Sequence, residues 1–270
     1  MGFFDFFKGL FAKKHVRLGL ALGSGGAKGA ALIGAMKAFE EENIKFDLVA
    51  GTSIGSIVGG MVALGYTSDD IMNVIKQYGA DDPKQLVFMK LKGESLDSLL
   101  DVVLGEKTFD DTVIPFCAVA ADLNTGEEVD MKNGKLSTAM AASSAIPPVF
   151  RPVGRNNRKL VDGAFVNAVP ADVVKKMGAD VVVSINLTSV AMNSVGKATL
   201  DVMYKGHGIA EQNRLHQLKD YSDLIIDPDL AAFSTGDVTA LNQMYSIGYA
   251  AAKDKMPEIK ALLKKHGVKF

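Results

Sequence analysis

The chain alternates between short apolar runs, which are typical of buried strands, and longer runs with helical spacing. RLGLAL and FDLVAG are strand-like, and each is followed by a helix-like segment that begins after a glycine-containing turn. Strands joined through helices lie parallel in one sheet, and the helices cover its faces. The alternation therefore predicts an α/β fold of three layers with a mostly parallel central sheet.

We find no internal repeat, low-complexity tract or linker that divides the chain of 270 residues. We expect an amphipathic N-terminal helix over residues 1–15 and a single domain over residues 16–270. Within that domain, the more polar segment from Ser68 to Lys107 is a candidate lid. The NTG turn between two apolar runs at residues 114–131 predicts a hairpin, and the sequence MPEIKALLKKHG predicts a final helix.

The composition limits the classes of partner and compartment. The formal net charge is −1, which gives no reason to expect a nucleic-acid partner. The single cysteine, Cys117, cannot form an internal disulfide, so we expect a reducing, cytoplasmic environment and a buried thiol. No run of about 20 apolar residues is present, so no membrane-spanning helix is expected.

Four glycines between Gly23 and Gly29 separate the first predicted strand from the first predicted helix. A dinucleotide-binding G-x-G-x-x-G turn would need glycine at position 28, where this chain has Lys28. A P-loop would need Gly-Lys followed by Ser or Thr, whereas the order here is Lys28-Gly29-Ala30. Two interpretations remain: a merely tight turn, or backbone N–H groups at a helix start that hold a negatively charged oxygen.

The sequence Gly51-Thr52-Ser53-Ile54-Gly55 favours the second interpretation. It has the G-x-S-x-G pattern between a predicted strand and a helix of small residues, which is the context of a nucleophile elbow. A serine that attacks an acyl carbon creates an oxyanion, which the glycine turn could stabilise. We therefore predict that Ser53 is a nucleophile.

The serine needs a base, and the sequence offers two kinds of candidate. Asp162 follows the apolar pair Leu160-Val161 and precedes Gly163, as expected for a carboxylate at the end of a strand. None of the four histidines lies in a turn after a predicted strand. A Ser–His acyltransferase or thioesterase, or a Ser–His–Asp hydrolase, remains an alternative that would use His207 or His216.

Three blocks of sequence, SGGAKG, GTSIG and DGA, resemble those of the bacterial patatin-like phospholipase family and occur in the same order. The stretches ADLNTGEEV and ASSAIPPVFRPV are also similar to that family, so the resemblance covers residues 18 to about 170. Two positions differ from the common pattern: Ser24 replaces a frequent glycine, and Lys28 replaces a frequent arginine.

The resemblance implies a Ser53–Asp162 dyad that hydrolyses acyl esters of phospholipids or lysophospholipids without a metal or other cofactor. It places the oxyanion hole in the glycine turn, for which the candidate residues are Gly25, Gly26, Ala27 and Lys28. It also implies that Gly51, Gly55 and Gly163 are motif positions that shape the site. The alternative to an enzyme is a membrane-associated regulatory protein that keeps this fold but does not catalyse a reaction.

The N-terminus has an amphipathic pattern. If residues 1–14 are helical, all the phenylalanines of this segment, together with Leu10, fall on one arc, while Asp5, Lys8 and Lys13 fall on the other. Such a helix either lies in a membrane interface or packs on the domain or on a second subunit of a homo-oligomer. The first possibility predicts a cytoplasmic protein that binds membranes peripherally.

Removal of residues 1–14 is expected to abolish binding to anionic vesicles. The reason is that partial burial of several phenylalanines, at about 1.5–3 kcal/mol for each fully buried ring, would be lost together with the attraction of the basic residues. Co-sedimentation of the full chain and of a chain beginning at His15 measures this. Equal sedimentation of the two chains, with a change in oligomeric state only, would show that the segment is an assembly element.

Overall fold

A computed structural model describes residues 15–77, 96–147, 149–188 and 215–268. The predicted N-terminal helix, apart from His15, lies outside the described residues, as do residues 78–95 of the candidate lid.

The described residues form one sheet of eight strands. The strands, in chain order, are β1 (Leu18–Leu22), β2 (Leu48–Thr52), β3 (Phe116–Asp122), β4 (Glu128–Met131), β5 (Val153–Arg155), β6 (Arg158–Asp162), β7 (Val181–Ile185) and β8 (Leu224–Ile226). Successive hydrogen-bonded neighbours are β5-β6-β3-β2-β1-β7-β8, and β4 also pairs with β3. The pairs among β3, β2, β1, β7 and β8 are parallel, whereas β4, β5 and β6 form antiparallel pairs.

Helices pack on both faces of the sheet. They are α1 (Ala30–Glu41), α2 (Ile54–Ala63), α3 (Ser68–Ile75), α4 (Leu96–Leu104), α5 (Leu136–Ser143), α6 (Ala171–Lys176), α7 (Leu215–Tyr221) and α8 (Leu241–Lys265). Side chains of α1, α2, α5 and α8 join one apolar core with one face of the strands, and those of α6 and α7 join a second core on the other face. The predicted α/β fold of three layers with a mostly parallel sheet is therefore confirmed.

Two details depart from the sequence prediction. The hairpin is present as the antiparallel pair β3–β4, but the short strand β5 was not predicted. The final helix begins at Leu241 rather than at Met256, so Pro257 lies inside α8 and not in its first turn. Proline removes one backbone donor from a helix interior, so tertiary contacts must support the helix at this point.

Those contacts come from α1. Lys253 and Lys260 of α8 both form ion pairs with Glu42, which follows α1, and their hydrogen bonds lower the pKa of Glu42 to about 2. Further along, a Cβ atom on Gly34 would lie 2.0 Å from the carbonyl oxygen of Tyr245, and one on Gly248 would lie 2.0 Å from that of Ala31. The two helices therefore cross in backbone contact, which only glycine permits.

Cys117 is fully buried in the second apolar core, as predicted, and its burial raises the pKa of the thiol.

In the part of the chain that the structure describes, no helix has both the length and the apolarity needed to cross a bilayer.

Gly248→Ala is expected to destabilise the protein. Helix propensity alone would make this change stabilising by about 1 kcal/mol, but the new methyl group would collide with the backbone of α1, and overpacking costs about 1–3 kcal/mol. Urea denaturation measures the sign of the net effect. Ser246→Ala, at an exposed position of the same helix, is the control and should not lower stability; a stabilised Gly248→Ala protein would contradict the close crossing.

Candidate active site

Ser53 occupies a strained turn between β2 and α2. Its φ and ψ angles are 56° and −126°, in a region that residues with a side chain rarely adopt. The residue is 6% exposed, so the turn presents it at the edge of the core rather than on the open surface. This is the strand–turn–helix geometry that the G-x-S-x-G pattern predicts.

The glycines on either side make this turn possible. A Cβ atom on Gly51 would lie 2.1 Å from the carbonyl oxygen of Gly55, and one on Gly55 would lie 2.2 Å from that of Leu22 in β1. Both contacts involve backbone atoms that cannot move aside. Gly51 thus closes the turn on itself, and Gly55 brings the start of α2 against the strand that leads into the glycine turn.

The register of β3 brings the ends of two strands together. β4 occupies one edge of β3 along residues 118–121, so β2 and β6 must share the opposite edge. On that edge, Thr52 pairs with Val119 and Asp162 pairs with Ala120, the next residue. One step along a strand is about 3.3 Å. β2 is parallel and β6 antiparallel to β3, so their carboxyl ends meet head to head.

This junction places the two predicted catalytic residues side by side. Ser53 directly follows Thr52, and Asp162 is the last residue of β6. Asp162 is fully buried, and its Oδ1 atom accepts a hydrogen bond of 2.9 Å from the backbone N–H of Ala164. That bond fixes the carboxylate at the start of a short 3-10 turn over residues 163–165.

Gly163 is needed for the same junction. A Cβ atom there would lie 2.1 Å from the carbonyl oxygen of Val119 and 3.1 Å from the Cγ2 atom of Thr52. The turn after Asp162 therefore packs directly on the end of the strand that carries Ser53.

Asn167 also connects these elements, and the sequence analysis did not identify it. Its carbonyl oxygen accepts a 2.8 Å hydrogen bond from the Thr52 hydroxyl, and its side-chain amide donates to Glu128 and Asp172. Burial, with a smaller contribution from Asp172, raises the pKa of Glu128. The hydrogen-bond partners of Asn167 lie on β2, β4 and α6, and the two on β2 and β4 are distant in sequence. The sequence therefore indicates only that an amide lies close to the Asp-Gly pair.

The glycine turn lies beside the elbow. It forms a 3-10 turn over residues 26–29 that continues into α1, and Gly26 has a positive φ of 57°. A Cβ atom on Gly29 would lie 2.2 Å from the Cγ1 atom of Ile54, the residue after Ser53. The start of α1 and the start of α2 are therefore packed together.

The four candidate oxyanion donors differ in their hydrogen bonds. The N–H of Ala27 donates to the carbonyl oxygen of Thr235 at 2.8 Å, and that of Lys28 donates to Gly25 at 3.2 Å. The N–H groups of Gly25 and Gly26 donate to no protein acceptor in the described part of the chain. Of the four candidates, these are the two N–H groups that no described residue occupies.

The histidines that the structure describes with their side chains lie away from this site. His15 is hydrogen-bonded to Asp47 at the amino ends of β1 and β2, opposite the elbow, and His266 is exposed beyond the end of α8. His207 and the side chain of His216 lie outside the described residues. Among residues 15–77, 96–147, 149–188 and 215–268, no group of three or more His, Cys, Asp or Glu side chains is arranged to hold a metal ion.

Gly55→Ala is expected to lower both the unfolding free energy and the rate at which a fluorophosphonate modifies Ser53. The added methyl group would push the start of α2 away from β1, at a cost of about 1–3 kcal/mol, and would move the serine relative to the glycine turn. Gly154→Ala is the control, because a Cβ atom there meets nothing within 4 Å. Equal stability and labelling of the two variants would contradict the tight contact at Gly55.

The family model described as "Patatin-like phospholipase" matches residues 20–175, which is more than half of the chain and includes Ser53 and Asp162. An uncharacterised NTE family protein of Mycobacterium bovis is 34% identical over 183 residues, covering 63% of this chain and 49% of that protein. A patatin-like phospholipase domain-containing protein of Caenorhabditis elegans is 31% identical over 188 residues, covering 64% of this chain and 14% of that protein. The chain spans about half or less of the length of these relatives.

Two solved structures share the fold. Human GIVD cytosolic phospholipase A2 superposes with a TM-score of 0.58 at 9% identity, covering 93% of this chain and 60% of that one. VipD from Legionella pneumophila superposes with a TM-score of 0.54 at 13% identity, covering 93% of this chain and 67% of that one. The sequence match over residues 20–175 and the shared fold lead to one conclusion: the chain belongs to the patatin-like phospholipase family.

Proposed function

We propose that this protein hydrolyses acyl esters of phospholipids or lysophospholipids, with Ser53 as the nucleophile and Asp162 as the general base. The observation that carries the proposal is the head-to-head junction of β2 and β6 on one edge of β3, which brings a strained serine and a buried carboxylate together. The substrate class is supported by the family and by the name of one structural neighbour, a cytosolic phospholipase A2.

The reaction proceeds in two steps that need only these two side chains and water. Asp162 accepts the proton of the Ser53 hydroxyl as Oγ attacks the ester carbonyl carbon. The bond to the leaving oxygen then breaks, and that oxygen takes the proton from Asp162. In the second step, Asp162 accepts a proton from water as the water oxygen attacks the acyl carbon. The bond between that carbon and Ser53 Oγ then breaks, Asp162 returns the proton to Oγ, and the fatty acid is released.

The N–H groups of Gly25 and Gly26 stabilise the negative oxygen of both tetrahedral intermediates. They lie at the start of the 3-10 turn that leads into α1, on the side where the helix dipole adds positive potential. The contact between Gly29 and Ile54 keeps this turn beside the elbow. Loss of one such donor costs about 2.7–4 kcal/mol in other hydrolases. Ala27 and Lys28 would contribute by shaping the turn, since their N–H groups are bonded within the protein.

Lipid substrates reside in membranes, so we also propose that the protein works at a membrane surface. The support is the phenylalanine-rich, basic sequence of residues 1–14, and the vesicle experiment above tests it.

Ser53→Ala is expected to abolish acyl release across a panel of phospholipids and lysophospholipids, because no other group would form the acyl-enzyme. Asp162→Asn keeps the shape of the side chain but cannot accept the proton, so turnover should fall by roughly 10²–10⁴. Fluorophosphonate labelling followed by peptide mapping identifies the modified residue. The reagent suits this test because the cytosolic phospholipase A2 has been solved with a linolenyl fluorophosphonate.

The double variant His207→Ala/His216→Ala is the control that separates a dyad from a triad, and it should retain turnover. Near-normal turnover in Asp162→Asn, together with its loss in the double variant, would assign the base to histidine. Equal labelling of the wild type and Ser53→Ala would overturn the assignment of the nucleophile, and a wild type that releases no acyl group would favour a non-catalytic role.

A further inference from the structure

The hydroxyl of Ser143 connects the backbone of Ser53, directly after β2, with the backbone of Val119 in β3. Its Oγ atom accepts a hydrogen bond of 2.9 Å from the backbone N–H of Ser53 and donates one of 2.5 Å to the carbonyl oxygen of Val119. A hydroxyl has a single proton to donate, so these two bonds determine its orientation. Ser143 is fully buried at the end of α5, and both of its hydrogen-bond partners are backbone groups.

Val119 in turn connects this hydroxyl to the other half of the site. It pairs with Thr52 in the sheet, and its carbonyl oxygen is the atom on which Gly163 packs. One bond from Ser143 therefore reaches the backbone of the nucleophile, and the other reaches the strand on which the Asp-Gly turn rests.

The same segment also binds the backbone of the proposed base. The carbonyl oxygen of Ala145, two residues after Ser143, accepts a hydrogen bond of 2.9 Å from the N–H of Asp162. Ser143 and Ala145 therefore bind the N–H groups of Ser53 and Asp162, respectively, from positions only two residues apart. From this arrangement, and resting on the proposed function, we propose that Ser143 is a positioning residue that sets the distance between Ser53 and Asp162.

The strain at Ser53 explains why such an anchor is needed. A residue in a rarely populated backbone region stays there only when its surroundings hold it. Removal of the Ser143 hydroxyl would leave both the Ser53 N–H and the Val119 carbonyl buried without this partner. The elbow would then relax, and a displacement of about 1 Å at a reacting group can cost about 100-fold in rate.

The test compares Ser143→Ala with Ser144→Ala. The two serines are adjacent and buried, but the hydroxyl of Ser144 makes no hydrogen bond with any described residue. The measurements are the rate of Ser53 modification by a fluorophosphonate, kcat and KM for lysophospholipid hydrolysis, and the thermal unfolding midpoint. Ser143→Thr is the rescue variant, because it keeps the hydroxyl.

We expect Ser143→Ala to lower kcat and the labelling rate by about 10- to 100-fold with little change in KM, at temperatures where it remains folded. Ser144→Ala should match the wild type, and Ser143→Thr should recover part of the lost rate. If Ser143→Ala does not fold, Ser143→Cys fills the same space with a weak hydrogen-bonding group and should show the same loss.

A folded Ser143→Ala protein with a lower unfolding midpoint but an unchanged labelling rate and kcat would reduce Ser143 to a structural role and overturn the inference. A loss in Ser144→Ala equal to that in Ser143→Ala would do the same. Failure of the proposed function gives a different result, because the wild type itself would then show no modification of Ser53.

Discussion

β3 has two hydrogen-bonding edges, and the way in which they are shared determines the geometry of the site. β4 covers one edge, so β2 and β6 must share the other edge. β2 pairs with β3 as far as Val119, and β6 pairs with it from Ala120 onward. A strand position bonds with one partner on each edge, and β2 therefore has to leave the sheet where β6 ends. The sharp turn at Ser53 and the position of Asp162 both follow from this single constraint.

Close contacts at three glycines, two of them with backbone and one with a side chain, then hold the surrounding elements at a fixed spacing. Gly55 against β1, Gly163 against β3 and Gly29 against Ile54 each leave no room for a side chain. They bring two helix starts and one strand end to the same place, next to Ser53. Protein interiors are packed too densely to absorb an added methyl group at such positions, and this makes the site rigid.

The placement of Ser53 and Asp162 in glycine-flanked turns at strand ends could be predicted from sequence, because short motifs encode such turns. Ser143 and Asn167 could not, since their partners come from other strands and depend on the register of β3. The hydrogen bonds that occupy the N–H groups of Ala27 and Lys28 were also invisible, because one of them reaches Thr235. The extent of α8 escaped prediction because its contacts with α1, rather than its own propensity, support a helix that contains Pro257.

The proposed mechanism requires that Ser53, Asp162 and the glycine turn surround a single reacting atom. A crystal structure of the protein after reaction with a fluorophosphonate tests it directly. It should show phosphorus bonded to Ser53 Oγ, a phosphoryl oxygen about 2.7–3.1 Å from the N–H groups of Gly25 and Gly26, and the Asp162 carboxylate within hydrogen-bonding distance of the modified serine. An adduct on another residue, or a phosphoryl oxygen that points away from the glycine turn, would contradict the proposed mechanism.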